Sequence, residues 1–217
     1  FGRMVADDAN LNVDASVQVA HALSTHAVQN EFDYFTAVDD RNPEDETGAG
    51  MIGTIEFNSA TLYRYATINV DGLVHNLGER QAAATAAKVF VSSFLTCMPT
   101  GKQNTFANRT APDLVLITVR RDQPLNLAGA FEDPIRPTST SSISAQSATR
   151  LIQRFEFLQR GLAPLDDDNA AGSPGASWLW IGSPEIDSSV ATANTERVVR
   201  LGELGRLVEA AVVASDS

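Results

Sequence analysis

The chain has 217 residues, 43% hydrophobic and 20% charged, with a formal net charge of −11. This is the composition of an ordinary soluble globular protein, long enough for one large domain or two small ones. The single cysteine, Cys97, excludes an internal disulfide and a cysteine-cluster metal site, and no apolar run approaches the ~20 residues that span a bilayer. A reducing, cytoplasmic setting without a membrane is expected. The acidic balance argues against broad phosphate neutralisation. Still, 14 of the 16 basic residues are Arg, whose forked donors suit individual phosphate or carboxylate contacts, so their placement matters more than the sum. The opening "FGRMVADD" has neither an initiator Met nor a signal sequence and reads as the start of the C-terminal part of a longer protein.

Residues 13–25 alternate, with Val17, Val19, His21 and Leu23 on one face, and predict a strand. Residues 26–59 read as an arm: the β-leaning "DYFTAV" leads out, the Pro-, Gly- and acid-rich "RNPEDETGAG" (41–50) forms a mobile tip, and "MIGTIEF" returns. Residues 60–70 alternate again, with Leu62, Arg64, Ala66 and Ile68 on one face and Tyr63, Tyr65 and Thr67 on the other. A helix follows on Ala86, Val89, Phe90, Phe94 and Cys97, which predicts a buried thiol, and "PTG" (99–101) stops it. "LVLITV" (114–119) is a buried strand. Leu151, Ile152, Phe155 and Leu158 mark a helix that Gly161 caps. "SWLWIG" (177–182) is the last strand, and a final helix starts near Asn194. This order suggests an α+β sandwich with helices on one face of an antiparallel sheet, and the ferredoxin-like, RNA-recognition-like fold is the leading candidate. That fold needs a first strand and helix upstream of Phe1.

The chemistry-bearing residues point away from catalysis. Asp39 and Asp40 are neighbours on the arm; on a strand they face opposite sides, and in a turn they bond local backbone. His21 and His26 fall on opposite faces, so a shared metal is not expected, and His21 is expected as a satisfied, half-buried side chain. "GAGMIG" (48–53) lacks the Lys-Ser/Thr of a phosphate loop, and "DDDN" (166–169) lacks the spacing of a calcium loop. No cofactor or metal is called for. Tyr34 and Phe35 stand beside each other on an arm with little core to fill. Stacking on a nucleobase, docking on a neighbouring subunit and core packing all remain open for them. "GKQNTFANR" (101–109) offers Lys102, Gln103, Asn104, Asn108 and Arg109, either as phosphate donors or as a plain polar connection.

The segments "FGRM", "VQVAHALSTH", "DYFTAVDD", "GTIEFNSATLYRYATIN", "NLG" and "GKQNTFAN", in this order, resemble the CasC backbone subunit of the type I-E CRISPR Cascade complex over residues 1 to about 131. The resemblance implies an RNA-binding, non-catalytic subunit for antiviral defence, built like a hand and incomplete here at its N-terminus. Residues 1–25 would be palm strand and the end of the fingers, 26–59 the thumb, and 60–217 the rest of the palm with its helices. Copies would line up head to tail as a filament along the CRISPR guide RNA. Each thumb would kink the guide, which pairs with target DNA, and the other partners would be the remaining Cascade subunits. Arg3, Met4, Tyr34, Phe35, Thr36, Val38, Ile52, Lys102 and Gln103 are the implied RNA-binding residues. The family's first strand and the basic segment after it are absent from this sequence, which fits its acidity. The competing readings are a metal-dependent ribonuclease using Asp39 or Asp40, and a structural oligomer that does not touch RNA.

Overall fold

The computed structural model describes residues 2–37, 51–162, 176–190 and 195–215. The first alternating segment is not one strand but two, β1 (Val17–Val19) and β2 (Leu23–Ser24). The arm follows as β3 (Glu31–Ala37) and β4 (Met51–Phe57). The second alternating segment splits in the same way into β5 (Leu62–Tyr63) and β6 (Ala66–Ile68). β1 pairs antiparallel with β6, and β2 with β5. Val19 faces Ala66 and Leu23 faces Tyr63, so three residues on one strand (20–22) stand against two on the other (64–65). That one-residue bulge breaks the alternation. His21 sits in it and is exposed, contrary to expectation. The satisfied, half-buried histidine is His26, whose Nε2 accepts the Thr61 N–H at 3.1 Å while Nδ1 lies 2.8 Å from the Ala27 carbonyl.

Two helices follow where one was expected. α1 (Val70–Leu77) starts at Asn69, whose side chain accepts from the Gly72 N–H, and ends at Gly78, which has a left-handed φ of 73°. α2 (Arg80–Thr96) buries Ala83, Ala84 and Ala87 rather than the larger residues of its pattern; Val89 is exposed. These alanines admit α6 (Glu203–Ala214) at close range: a Cβ on Gly205 would lie 2.8 Å from Ser92 Oγ. Lys88 and Glu209 clasp the edge of this contact at 2.7 Å, and Arg80 donates to the Val212 carbonyl at 3.1 Å. α2 stops at Thr96, so Cys97 falls outside the helix and is exposed, not buried.

The short α3 (Gln103–Phe106) precedes β7 (Leu114–Val119), and α4 (Ile143–Gly161) is capped by Ser142, which accepts the Ala145 N–H at 3.1 Å. Gly161 is the last helical residue of α4, with Leu162 in the cap position. β8 (Ala176–Ile181) is not the last strand. It is followed by α5 (Pro184–Ser189) and β9 (Glu196–Val198). β7 and β8 are antiparallel, while β8 and β9 are parallel. The last helix is α6, starting at Glu203; Asn194 lies outside the described residues.

The architecture is therefore mixed α+β, but the expected single antiparallel sheet with helices on one face is not what forms. The β7–β8–β9 sheet is mixed and covered on both faces. Val115 and Trp178 pack with α2 and α6, while Leu179 packs with Ala145, Ala148 and Ile152 of α4 and Ile186 of α5. Period-two alternation divides the strand residues between two apolar layers, which is why "LVLITV" is apolar at nearly every position. Among the described residues, no helix is long and apolar enough to cross a membrane.

Candidate nucleic-acid interface

β3 and β4 form a seven-pair antiparallel hairpin from Glu31↔Phe57 to Ala37↔Met51. All seven residues of β3 are exposed. At its base, Asn58 donates to Asn30 Oδ1 at 3.1 Å, and Asn30 reaches Glu56 at 3.4 Å. The register assigns the side chains to two faces. Phe32, Tyr34, Thr36, Ile52, Thr54 and Glu56 share one. Glu31, Asp33, Phe35, Met51, Ile55 and Phe57 share the other, with Gly53 beneath Phe35. Tyr34 and Phe35, adjacent in sequence, are thus back to back.

The two rings differ in environment as well as direction. Tyr34 is 74% exposed and Ile52 70%, whereas Phe35 is 39% exposed because its ring lies across Gly53. A Cβ at Gly53 would come within 2.4 Å of Phe35 Cζ, so only glycine leaves room for the ring in this pose. The structure therefore gathers Tyr34, Thr36 and Ile52 and sets Phe35 apart from them. Val38, Asp39, Asp40 and the tip 41–50 lie outside the described residues. Sequence reading missed Phe32, 60% exposed on the Tyr34 face; its place two residues before Tyr34 on a strand is the signal that finds it.

The second candidate loop meets the arm at its base. Phe106 of α3 packs on Phe57 of β4, with ring centroids 4.9 Å apart. This places Lys102 and Gln103, both exposed, at the foot of the Phe35 face. The loop is held in an unusual shape. Lys102 (φ 58°) and Ala107 (φ 48°) both adopt the left-handed region, and they are the only non-glycine residues to do so among those described. Phe106 N–H donates to the Lys102 carbonyl at 3.0 Å, and Arg109 reaches Gln103 Oε1 at 3.3 Å. Asn108 Oδ1 is buried without a hydrogen-bond partner.

Arg3 and Met4 belong to a separate segment at the start of the chain. Arg3 pairs with Val13 through reciprocal backbone bonds of 2.9 and 2.8 Å, and its Nε donates to the Leu11 carbonyl at 2.7 Å. Met4 is 91% exposed. Among the described residues, no three His, Cys, Asp or Glu side chains gather in a way that could hold a metal.

A family model for CT1975-like proteins matches residues 1–175. Two solved structures align with nearly the whole chain. A chain from a pre-nicking CRISPR RNA-guided surveillance complex matches at 34% identity and a TM-score of 0.80, covering 98% of this chain and 54% of that one. A chain from a second CRISPR RNA-guided surveillance complex matches at 35% identity and a TM-score of 0.77, covering 99% of this chain and 76% of that one. The chain thus spans about half the length of the first. The comparison with curated protein sequences gave no match. With the arm motifs, the two-faced hairpin and these alignments agreeing, the chain belongs to the CT1975-like family, the CasC-like backbone subunits of Cascade.

Proposed function

We propose that this chain is the CRISPR RNA-binding part of a non-catalytic backbone subunit of a type I-E Cascade complex, working in the cytoplasm for antiviral defence. The β3–β4 hairpin is the thumb, and the β1–β6 and β7–β8–β9 strands belong to an RNA-recognition-like palm. Copies associate head to tail as an open filament along the guide RNA, beside the other Cascade subunits. The guide reads target DNA by base pairing while the protein sets its shape.

The observation that carries this reading is the arm itself, a hairpin with large apolar side chains exposed on both faces. A wedge that parts two successive bases needs an apolar surface on each side, and unstacking one step takes a few kcal/mol that such contacts return. Tyr34 and Ile52 serve one side of the kink and Phe35 the other. Lys102 and Gln103 at the foot of the arm, together with Arg3, hold phosphate oxygens. The identity to two chains of RNA-guided surveillance complexes supports the same reading.

Nuclease-protection mapping of guide RNA bound to the full-length protein tests it. Evenly spaced protection, with one accessible nucleotide per subunit, is the expected pattern. A featureless footprint, or purification free of RNA, would sink the proposal. Mg²⁺-dependent cleavage of target RNA that stops on Asp39→Ala would replace it with an enzyme.

A further inference from the structure

The root of the arm lies where a strand ladder splits. The β2–β5 register, Leu23↔Tyr63 and Ser24↔Leu62, sets Thr25 opposite Thr61. A hydrogen-bonded antiparallel pair exchanges two N–H···O bonds, but here one of the two is diverted. Thr25 N–H donates to the Thr61 carbonyl at 2.9 Å, while the Thr25 carbonyl accepts from Ile135 N–H, also at 2.9 Å. The chain thereby leaves β5 and turns toward Ile135, with which His26 forms a parallel bridge. The Thr61 N–H is left over, and a half-buried backbone donor needs an acceptor. The His26 ring supplies it: Nε2 accepts at 3.1 Å from a residue 35 positions away. A backbone N–H can only donate, so Nε2 carries no proton. Nδ1 carries it and donates to the Ala27 carbonyl at 2.8 Å. One ring in one tautomer stands in for a ladder carbonyl where the arm both leaves the body and returns to it.

The two sides of this junction differ in how firmly they are held. On the body side, Thr25 and Ile135 are each 2% exposed, and the Thr25 hydroxyl lies 2.9 Å from that of Ser147 on α4. Ser24 Oγ braces the His26 backbone as well, donating to its carbonyl at 2.7 Å and accepting its N–H at 3.3 Å. On the arm side, every residue from 27 to 37 is exposed. Beyond the Phe57–Phe106 contact, little packing is left to fix the arm's direction. Tyr34 stands eight residues beyond His26, at most ~26 Å of extended chain, so a ~10° swing at the root carries its ring by ~4–5 Å. We propose that His26 is a positioning residue for the arm. Its Nδ1–H tautomer latches the outgoing strand to Thr61 on the return, and so fixes the angle at which the hairpin presents Tyr34 and Ile52. That the angle matters to the guide rests on the guide-binding reading of the arm; the latch itself is tested without RNA.

Three substitutions in the full-length protein separate the latch from ordinary packing. His26→Gln keeps an acceptor near the place of Nε2. His26→Asn keeps an amide only near Nδ1, and His26→Ala keeps neither. Spin labels on the exposed Cys97 and on Asp33→Cys in the exposed β3 report the arm's direction as a distance distribution by pulsed electron resonance, with no RNA present. The expected result is a narrow distribution for wild type and His26→Gln and a broad one for His26→Asn and His26→Ala, with all melting temperatures within ~4 °C. Guide titration should then show Kd raised about 3- to 10-fold in the Asn and Ala variants and restored by Gln, the size of one hydrogen bond. If His26→Ala does not fold, the Gln–Asn comparison decides. Distributions as narrow in Asn as in wild type overturn the latch. So does a Gln variant as broad as Asn, or an Asn variant that fails to fold where Gln folds, which would make His26 a core residue only. A broadened arm with wild-type guide affinity overturns the positioning role. Absence of RNA binding in wild type itself counts against the guide-binding reading and the positioning role built on it, and leaves the latch result standing.

Discussion

Tyr34→Ala separates guide contact from fold stability, because the ring contributes little to the chain's own packing. It is 74% exposed at the middle of β3, opposite Thr54. Truncating so exposed a side chain changes folding stability by about 0.5 kcal/mol or less. If the ring stacks on a base at the kink, its loss removes about 1–3 kcal/mol of binding, which raises the guide Kd roughly 5- to 150-fold. Phe35→Ala provides the contrast. That ring covers Gly53, so its removal also strips a cross-strand contact worth about 0.2–1 kcal/mol, and the arm should loosen as affinity falls. The assay is a titration of labelled guide RNA with full-length protein at one fixed salt concentration, paired with a thermal melt of each variant. Tyr34→Ala binding within twofold of wild type at unchanged melting temperature would refute the stacking assignment, since no stability loss could mask it.

Three further outcomes test other parts of the chain. Leu179 is fully buried between β7 and α4, so Leu179→Ala should lower unfolding free energy by about 2–5 kcal/mol in a denaturant titration, and a loss below ~1 kcal/mol would contradict the two-sided burial of β8. Lys102 holds a left-handed φ of 58°, so Lys102→Gly should raise stability by roughly 1 kcal/mol while lowering guide affinity and flattening its salt dependence by about one unit of slope; a melt and a salt series read the two effects separately. Burial pushes the Tyr63 phenol up to about 12 against the Leu127 N–H bond that favours ionisation, so its contribution is complete below the ordinary phenol range, near pH 10, and fades as pH rises through about 12. Alkaline unfolding curves for wild type and Tyr63→Phe should diverge in that window and run parallel below it.

What the sequence disclosed and what it hid follow from the range of the interactions involved. "LVLITV" announced β7 at its observed ends because burial on both faces makes nearly every position apolar, Thr118 excepted. The arm was legible because two β-leaning segments flank a turn-rich tip, and the register then follows from pairing. β9 was not legible: Glu196 and Arg197 carry no strand signal, and the segment is extended because it pairs parallel to β8, with Glu196 accepting from Trp178 Nε1 at 3.2 Å. α1 left local signs in Asn69 and Gly78 that the strand-like alternation before it obscured. The bulge at residues 20–22 was hidden because one extra residue changes pairing but not composition. For the site, exposure and type of Tyr34, Phe35 and Ile52 could be read from position on the arm, but their division between faces needed the register. The docking of Phe106 on Phe57 joins residues 49 positions apart and has no sequence signature.

That aromatic contact changes how the arm works. A two-stranded hairpin alone in water is marginally stable at best, and this one keeps Phe32, Tyr34, Met51 and Ile52 in solvent instead of burying them. Its order depends on its ladder, on the Asn30–Asn58 bond at its base and on Phe57 resting against Phe106. Phe106 in turn closes the strained turn begun by Lys102. Anything that orders the Lys102 loop, such as a phosphate held there, therefore stiffens the foot of the arm, and anything that covers the arm's rings holds the loop in its left-handed shape. By linkage the two effects are equal in free energy. Phe106→Ala should consequently weaken guide binding although it touches no base, and it should remove the coupling between Tyr34→Ala and Lys102→Gly that a double-mutant cycle on the intact protein would register. If the two substitutions are additive in the wild-type background, arm and loop act independently and the Phe57–Phe106 contact is packing alone.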